Sequence, residues 1–362
     1  MMGVCKVGRV IVGMSGGVDS ATAAFLLREA GHDVIGVTFR TWSGGGSRCC
    51  EIDEARDTAR KLNIPYHVLN CVSDFRKNVE APFIEDYLRG LTPNPCVICN
   101  REVKWARLLY AAELFGADMV GTGHYASAIR LENGRYAIQK AADVPKDQSY
   151  MLYRLTQEQL SRTVFPLGGL TKTEVRRIAE RAGLPSASRP DSQEVCFVTE
   201  GSYGDYIETH AGRELPGKGD FVDEQGKVLG KHRGIFRYTV GQRKGLGLSL
   251  GRPAYVKDIR PETNEVVIAD ENSLYRTEIL CGRLNFMSLP GIAENETIRA
   301  AVKIRYRHEG AEAALARRTP DTVLVRFANP VRAATPGQSA VFYDSANRVI
   351  GGGVILPSDA SL

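Results

Sequence analysis

The sequence predicts an α/β protein with a parallel sheet at its N-terminal end and β-rich domains after it. Through the first third of the 362 residues, short apolar runs alternate with amphipathic segments, a pattern typical of a parallel sheet covered on both faces. From about Gly212, helical periodicity fades and short β-like runs appear among Gly and Pro. A chain this long exceeds one ordinary core. We therefore expect an N-terminal α/β domain over 1–211, a small central domain over 212–279 and a C-terminal β-barrel over 280–362.

The individual elements follow from the period of the apolar residues. Strands are predicted at 10–13, 33–39, 65–71 and 118–122, and helices at 21–30, 52–62, 75–88 and 102–115. Asn133-Gly134 separates two β-like runs, 126–131 and 136–140, which predicts a hairpin. A helix over 173–182 should end at Gly183, with Pro185 close behind. Longer runs at 297–306, 322–327, 339–343 and 349–355 predict barrel strands.

The composition excludes several classes of protein. Of the residues, 43% are hydrophobic and 25% charged, which argues against disorder and collagen-like repetition. No apolar run approaches the roughly 20 residues of a spanning helix, and Met1 leads straight into a short strand without a signal peptide. We expect a cytoplasmic protein with no membrane partner. Its eight cysteines are then reduced, catalytic or metal-binding rather than a disulfide framework.

The basic residues are concentrated in one stretch. The net charge is only +5, but Lys231 to Arg252 holds six basic residues, five glycines and no acidic residue. Glycine lets the main chain approach a phosphate backbone closely while Arg and Lys neutralise its charge. We expect Arg237, Arg243 and Lys244 to contact phosphates, although a solvated loop in a basic protein explains the pattern equally well.

The strongest local signal is a Gly-rich turn between a predicted strand and a predicted helix. Its residues are Gly13, Met14, Ser15, Gly16, Gly17, Val18, Asp19 and Ser20. Two glycines allow a tight turn with exposed amides, and a helix N-terminus favours a bound anion. No Lys precedes Ser20, so this is not a Walker A loop. A carboxylate at Asp19 would repel phosphates unless a cation intervened, which suggests Mg²⁺ with pyrophosphate; a mere helix cap is the alternative.

This turn, read as Ser-Gly-Gly-Val-Asp-Ser, resembles the PP-motif of N-type ATP pyrophosphatases. Those enzymes, whose fold is adenine nucleotide alpha hydrolase-like, split ATP into AMP and pyrophosphate to activate a carbonyl oxygen. The family includes synthetases of small metabolites as well as RNA-modifying enzymes. The motif alone does not choose among them.

Further segments narrow the resemblance. They are Thr92 to Asn100 (TPNPCVICN), Gly121 to Tyr125 (GTGHY), Lys146 to Tyr150 (KDQSY), Asp191-Ser192 before Cys196-Phe197, and His232 with Tyr238 to Gly247 (YTVGQRKGLG). In this order and spacing they resemble, over nearly the whole chain, the tRNA-specific 2-thiouridylases.

The resemblance implies an enzyme that replaces the C2 oxygen of a wobble uridine with sulfur, in tRNAs for Glu, Gln and Lys. It implies ATP contacts at Gly13 through Ser20, at Gly123, and at Phe39, where the family commonly has Met. It implies active cysteines at Cys99 and Cys196. The tRNA-facing positions that it implies are Asn94, Pro95, Cys96, His124, Lys146, Asp147, Gln148, Arg305, Tyr306 and Gln338. It also implies a sulfur donor such as a cysteine desulfurase or a relay protein; the oligomeric state stays open, with a monomer favoured.

Elementary chemistry agrees with these roles. A C2 carbonyl is a poor electrophile, and adenylation turns its oxygen into a phosphate ester that can depart. A cysteine persulfide supplies an anionic sulfur, and a second cysteine can resolve it, leaving a disulfide that a reductant reopens. His124 could stabilise developing charge, but a capped or core histidine is as good an interpretation. Lys146 to Gln148 could equally be a solvated helix start.

One position departs from the pattern. Many family members have Asp where Cys96 stands, and a thiol cannot replace that carboxylate as an acid or base. Cys96, Cys99 and Cys196 could instead hold a 4Fe-4S cluster that delivers hydrosulfide, as in related RNA thiolases. The competing hypothesis is persulfide chemistry on Cys196 with Cys99 as its partner and Cys96 as a bystander.

Two other function classes stay open. A ligase acting on a small metabolite would explain the Gly-rich loop but not Cys99, Cys196 or the basic stretch. A nucleotide-regulated RNA-binding protein without chemistry would explain the basic charge but not the cysteines.

Overall fold

The computed structural model describes residues 8–42, 52–189, 195–198 and 201–358. Its strands are β1 (Arg9–Gly13), β2 (Asp33–Arg40), β3 (Tyr66–Asn70), β4 (Met119–Thr122), β5 (Ala126–Arg130), β6 (Tyr136–Lys140), β7 (Thr163–Val164), β8 (Gly219–Val222), β9 (Val228–His232), β10 (Tyr255–Arg260), β11 (Glu265–Ala269), β12 (Tyr275–Phe286), β13 (Thr297–Lys303), β14 (Ala311–Thr319), β15 (Thr322–Arg332), β16 (Ser339–Tyr343) and β17 (Val349–Ile355).

The α-helices are α1 (Val18–Glu29), α2 (Ile52–Leu62), α3 (Val72–Phe75), α4 (Ala81–Leu88), α5 (Pro95–Cys99), α6 (Ala106–Leu114), α7 (Ser149–Leu152), α8 (Gln157–Ser161), α9 (Lys172–Arg181) and α10 (Tyr203–His210). Two π-helical turns, Arg76–Glu80 and Asn100–Trp105, lie directly before α4 and α6.

The chain divides into two compact units. The first comprises the described residues of Met1–Asn78, Cys96–Thr199 and Asn347–Val349. The second comprises those of Val79–Pro95, Glu200–Ala346 and Ile350–Leu362. We refer to them as the N-terminal and the C-terminal unit.

The N-terminal unit is built on a five-stranded sheet in the order β3-β2-β1-β4-β7. Its pairs are all parallel, as the alternation of strands and helices predicts. The central strand β1 is apolar because both of its faces are covered, and Val10, Ile11 and Val12 are fully buried. The predicted hairpin is also present, as the antiparallel pair β5 and β6.

The C-terminal unit contains two β structures. A four-stranded sheet has the order β10-β11-β8-β9, and a closed barrel has the order β12-β15-β14-β13-β16-β17. Alternate residues of the barrel strands point inward, and a core that includes Val302, Leu315, Val325 and Phe342 fills it. The predicted fold class, a parallel α/β sheet followed by a β-rich region and a C-terminal barrel, is confirmed.

One predicted helix, 75–88, differs from the structure in an informative way. The chain forms α3, then a π-turn, then α4, rather than one continuous helix. Pro82 lies in the first turn of α4. Because proline has no N–H to donate, the regular pattern of hydrogen bonds is interrupted here.

In the part of the chain that the structure describes, no helix has both the length and the apolar character that crossing a membrane requires.

Candidate active site

The topology of the N-terminal unit brings two loops together at the carboxyl ends of its central strands. The central strand β1 has β2 on one side and β4 on the other, and Gly13 pairs with both Val37 and Thr122. At this point the strand order reverses. Open α/β sheets bind ligands at the carboxyl ends of the strands beside such a reversal. The loops that follow β1 and β4 are the Gly13–Ser20 turn and the Gly123–Tyr125 segment, so two predicted ligand-binding segments meet here.

The Gly13–Ser20 turn is shaped by its own hydrogen bonds. Gly16 has a φ of +82°, a conformation that glycine adopts without strain, and Gly17 precedes the first residue of α1. The Ser15 N–H donates to Ser20 Oγ over 3.1 Å, and Ser20 Oγ donates to the Gly17 carbonyl over 3.1 Å. The Met14 N–H donates to the Val37 carbonyl at 2.8 Å, which ties the turn to β2. These hydrogen bonds, within the turn and to β2, fix the conformation of the turn.

Asp19, in the first turn of α1, is held by a lysine from a distant part of the sequence. Lys172 Nζ donates to both carboxylate oxygens of Asp19, at 2.7 and 2.8 Å, and its side chain is only 12% exposed. The hydroxyl of buried Tyr125 donates to Asp19 Oδ1 at 2.8 Å. Lys172 Nζ also lies 5.8 Å from the centre of the Tyr125 ring. A cation thus stands beside the predicted phosphate-binding turn.

Lys172 and Tyr125 were not predicted as site residues, although the sequence around Lys172 contains a signal for its position at a helix start. Thr171 and Glu174 form a capping box, which makes Lys172 the first residue of α9. A helix N-terminus carries partial positive charge and disfavours a cation. A buried lysine at this position therefore requires an anionic partner, which the structure identifies as Asp19.

Gly123 lies against the start of α1. A Cβ at this position would be 2.6 Å from both the Asp19 carbonyl carbon and the Ser20 nitrogen. Only glycine fits without moving the backbone of the Gly13–Ser20 turn. Phe39, the other predicted nucleotide contact outside the turn, is buried on β2 with 8% exposure.

His124 is held in its neutral form. Its Nδ1 is 2.9 Å from Thr122 Oγ1, and the rings of Trp105 and Phe165 flank it. Burial, together with the nearby charge of Lys104, lowers the pKa of His124 to about 3. Near neutral pH the imidazole therefore acts as a hydrogen-bonding group and not as a cation.

The Lys146–Gln148 segment is anchored within the N-terminal unit. Asp147 is buried, and its carboxylate accepts bonds from Ala141 N, Ser149 N and Ser149 Oγ at 2.8 to 3.2 Å. Asp147 therefore fixes the turn before α7. Gln148 Oε1 accepts from Tyr125 N at 3.0 Å, and Lys146 is half-buried.

The three cysteines of interest all belong to the N-terminal unit. Cys99 is buried at the end of α5, whereas Cys96 and Cys196 are half-buried, and all three are thiols. Phe197 packs edge-on against Phe75 with ring centres 5.4 Å apart, which anchors the segment that carries Cys196. Asp191 and Ser192 of the same motif lie outside the described residues.

The other two cysteines in the described part of the chain, Cys71 and Cys281, are buried thiols with raised pKa values. Burial raises the pKa of Cys71 to about 11 and raises that of Cys281 further, inside the barrel. Thiols of this kind are poor nucleophiles near neutral pH. Among the described residues, no three His, Cys, Asp or Glu side chains are grouped so that they could hold a metal ion.

The remaining predicted tRNA-facing residues, apart from Cys96, lie in the C-terminal unit. Gln338 Nε2 donates to the Thr92 carbonyl at 2.8 Å, close in sequence to Asn94 and Pro95. Arg305 Nη1 donates to the Arg332 carbonyl at 3.1 Å, and Tyr306 lies under Lys303, with Nζ 5.8 Å from the ring centre. The Gln338 bond joins the 92–95 segment to the barrel, whereas the Arg305 and Tyr306 contacts lie within the barrel region.

The basic stretch differs from expectation at Arg237. Its guanidinium pairs with Asp205 at 2.8 Å and Glu208 at 2.6 Å, and its side chain is only 13% exposed. Arg237 therefore stabilises α10 within this unit. Arg243 and Lys244 are exposed, in a loop with glycines at positive φ.

Three protein-family models match consecutive parts of the chain. They are the tRNA methyl transferase HUP domain over residues 8–200, the tRNA methyl transferase PRC-barrel domain over 204–270 and the aminomethyltransferase beta-barrel domain over 276–355.

Curated relatives match nearly the full length of the chain. A tRNA-specific 2-thiouridylase MnmA of Lachnoclostridium phytofermentans is 48% identical and covers 96% of this chain and 99% of its own. That of Acetivibrio thermocellus is 47% identical, with 96% and 99% covered. MnmA 2 of Caldanaerobacter subterraneus subsp. tengcongensis is 45% identical, with 97% and 98% covered.

Proposed function

The chain belongs to the family of tRNA-specific 2-thiouridylases, and from this premise we propose that it thiolates tRNA with the energy of ATP. In the proposed reaction, the C2 oxygen of the wobble uridine in tRNAs for Glu, Gln and Lys is replaced by sulfur, with release of AMP and pyrophosphate. The observation that carries the proposal is the meeting of three segments at the carboxyl ends of β1 and β4. There an ordered Gly-rich turn, a buried lysine and Gly123 meet in the unit that also contains Cys99 and Cys196.

The Gly13–Ser20 turn is the proposed site for the phosphates of ATP. The N-terminus of α1 supplies partial positive charge, and Lys172 supplies a full charge beside it. Together they take the part that the lysine of a Walker A loop plays in other nucleotide-binding proteins. Phe39 is proposed to pack on the purine.

Asp19 is the residue that would hold Mg²⁺. Magnesium is commonly bound through one or two carboxylates and the phosphates of the substrate, so a single carboxylate fits. When bound, the ion would neutralise charge on the triphosphate. In the structure Lys172 balances the charge of Asp19.

His124 is proposed to face the uridine as a neutral hydrogen-bonding group. Thr122 orients the ring, and the pKa of about 3 keeps it uncharged. A neutral imidazole can donate a hydrogen bond to an oxygen that gains negative charge. It cannot serve as a general acid that is already protonated at neutral pH.

The sulfur step is proposed to use a persulfide on Cys196. The terminal sulfur of the persulfide attacks C2, a C–S bond forms, and AMP leaves with the former C2 oxygen. The Cys99 thiolate then attacks Cys196 Sγ, the S–S bond to the transferred sulfur breaks, and the product is 2-thiouridine. A Cys99–Cys196 disulfide remains, which a thiol reductant reopens.

The persulfide itself must come from outside the chain. A cysteine desulfurase or a sulfur-relay protein is the proposed donor. The chemistry requires reduced thiols between turnovers, which agrees with a cytoplasmic location. We propose that the protein acts as a monomer.

Thiolation of a tRNA transcript, followed by mass spectrometry of the nucleosides, tests the proposal. Cys99→Ser and Cys196→Ser should each lower 2-thiouridine formation by about 10²-fold or more, because each removes one partner of the transfer. Cys96→Ser is the matched control, because Cys96 lies three residues before Cys99 on α5, and it should retain activity. Unchanged thiolation in both Cys99 and Cys196 variants would refute the mechanism. A methylated uridine instead of a thiolated one would refute the function.

The same preparations test the alternatives. Anaerobic purification with iron and sulfide assays would reveal a 4Fe-4S cluster, and loss of it in Cys96→Ser together with activity would favour the hydrosulfide route. Exchange of pyrophosphate into ATP that requires a metabolite and ignores tRNA would favour a ligase. Binding of tRNA without any sulfur incorporation would favour an RNA-binding protein.

A further inference from the structure

Gln148, one of the residues predicted to face tRNA, is joined to the phosphate-binding turn through Tyr125. Gln148 accepts from the Tyr125 N–H through its side chain at 3.0 Å and donates its own N–H to the Tyr125 carbonyl at 2.8 Å. The Tyr125 hydroxyl then donates to Asp19 at 2.8 Å. The backbone of Tyr125 thus contacts Gln148, and its buried side chain contacts Asp19.

A second connection reaches the same carboxylate. Asp143 Oδ2 accepts from the backbone N–H of Lys172 at 2.7 Å, and Lys172 Nζ donates to both oxygens of Asp19. The segment from Asp143 to Gln148 therefore contacts both residues that hold Asp19.

The segment is also internally fixed. Asp147 binds the main chain on both sides, at Ala141 and Ser149, and the Ala142 N–H donates to the Gly168 carbonyl at 2.9 Å. Packed and hydrogen-bonded elements transmit a displacement rather than absorb it. A movement of the Asp143–Gln148 segment therefore displaces Tyr125.

We propose that Tyr125 is a positioning residue that couples tRNA binding to ATP binding. The inference rests on the proposed function, since it takes Lys146 to Gln148 as a contact for tRNA. Docking of tRNA on this segment fixes Tyr125 and with it the Asp19 carboxylate, so that ATP binds more tightly. Coupling between two ligands is reciprocal, so ATP must tighten tRNA binding by the same factor.

The test measures affinities and not turnover. The dissociation constant of a non-hydrolysable ATP analogue with Mg²⁺ is determined with and without a saturating unmodified tRNA-Glu transcript. In the unchanged protein we expect tRNA to tighten binding of the analogue about fivefold or more, and the analogue to tighten tRNA binding equally. For each ligand we take the ratio of its dissociation constant without the other ligand to that with it. In Tyr125→Phe, which keeps the buried ring but removes the hydroxyl, both ratios should fall to within about twofold of one. Tyr110→Phe removes a hydroxyl from an exposed tyrosine on α6 and should keep the full ratio.

The outcomes separate this inference from the proposed function. Coupling that persists in Tyr125→Phe overturns the role of Tyr125, as does an unchanged protein that binds both ligands without any coupling; in either case the proposed function stands. An unchanged protein that binds neither ATP nor tRNA contradicts the proposed function itself. If Tyr125→Phe is unstable, Asp143→Ala tests the second connection and should reduce the ratio without removing the Tyr125 hydroxyl.

Discussion

The Gly13–Ser20 turn and the stretch from Lys231 to Arg252 both indicate anion binding by sequence, yet their structures differ in kind. The turn has no basic residue, and its cation, Lys172, comes from more than 150 residues away. The stretch has six basic residues, but Arg237, Lys231 and Arg252 pair with acidic residues of the same unit. A count of charges along the chain therefore describes the charge environment of neither region. The shape of a turn between strand and helix is local, whereas the partner of a long charged side chain is not.

Removal of Lys172 is the strongest test of this contrast. Lys172→Ala leaves the Asp19 carboxylate beside the phosphate site without its cation, so we expect AMP release and thiolation to fall by about 10²-fold or more. Lys77→Ala, an exposed lysine in the same unit, should change either rate less than twofold. Rates of the two variants are compared at saturating tRNA. Similar rates would show that Lys172 only stabilises the fold.

A backbone test at Gly123 should have a smaller effect. In Gly123→Ala the new Cβ meets the backbone of Asp19 and Ser20, so α1 must shift. We expect a loss of about 1–3 kcal/mol in the free energy of unfolding and at least a tenfold weaker affinity for ATP. Urea denaturation and equilibrium binding measure the two quantities.

Gly169→Ala is the control for this substitution. A Cβ there has no heavy atom within 4 Å and its backbone is not in the left-handed region. Wild-type affinity for ATP in Gly123→Ala would mean that the turn adapts and does not need its present geometry.

The basic stretch should give the smallest effects, and they should differ between its residues. The double variant Arg243→Ala/Lys244→Ala should weaken tRNA binding. It should also reduce by about 1–2 the slope of the logarithm of the tRNA binding constant against the logarithm of the salt concentration, because exposed cations release counterions from the RNA when they bind. Arg237→Ala should leave that slope unchanged and lower the free energy of unfolding by about 1 kcal/mol, because it breaks pairs with Asp205 and Glu208. A steep loss of slope in Arg237→Ala would reverse this assignment.

Much of the N-terminal fold was predictable because its signals are local. The helix predicted over 173–182 is α9, Lys172–Arg181, with its capping box and a glycine directly after the Ala182 cap. The central strand, the turn and α1 follow the period of their apolar residues. The barrel was predicted only in part, since β14 contains Ala, Glu, Leu and Arg, residues that favour helices. Its pairing with β13 and β15 overrides that preference.

The candidate site also contains some residues that could be identified from the sequence and some contacts that could not. Gly123 and the Gly-rich turn could be identified from sequence, and the order of the sheet brings them together. Tyr125 stood within a recognised motif, but its bond to Asp19 joins the segment after β4 to the first turn of α1, which are distant in sequence. The roles of Cys99 and Cys196 stay predictions, and both belong to the unit that contains the turn.

By itself the sequence determined the alternation of strands and helices in the first sheet, the Gly-rich turn between β1 and α1 and the family to which the chain belongs. Those properties depend on neighbours along the chain, where backbone conformation and apolar period are set. Only the tertiary structure decided that Lys172 and Tyr125 hold Asp19, that Arg237 is paired and that His124 is neutral. Each of these is a matter of charge or proton affinity, and it depends on which distant groups share the same low-dielectric surroundings.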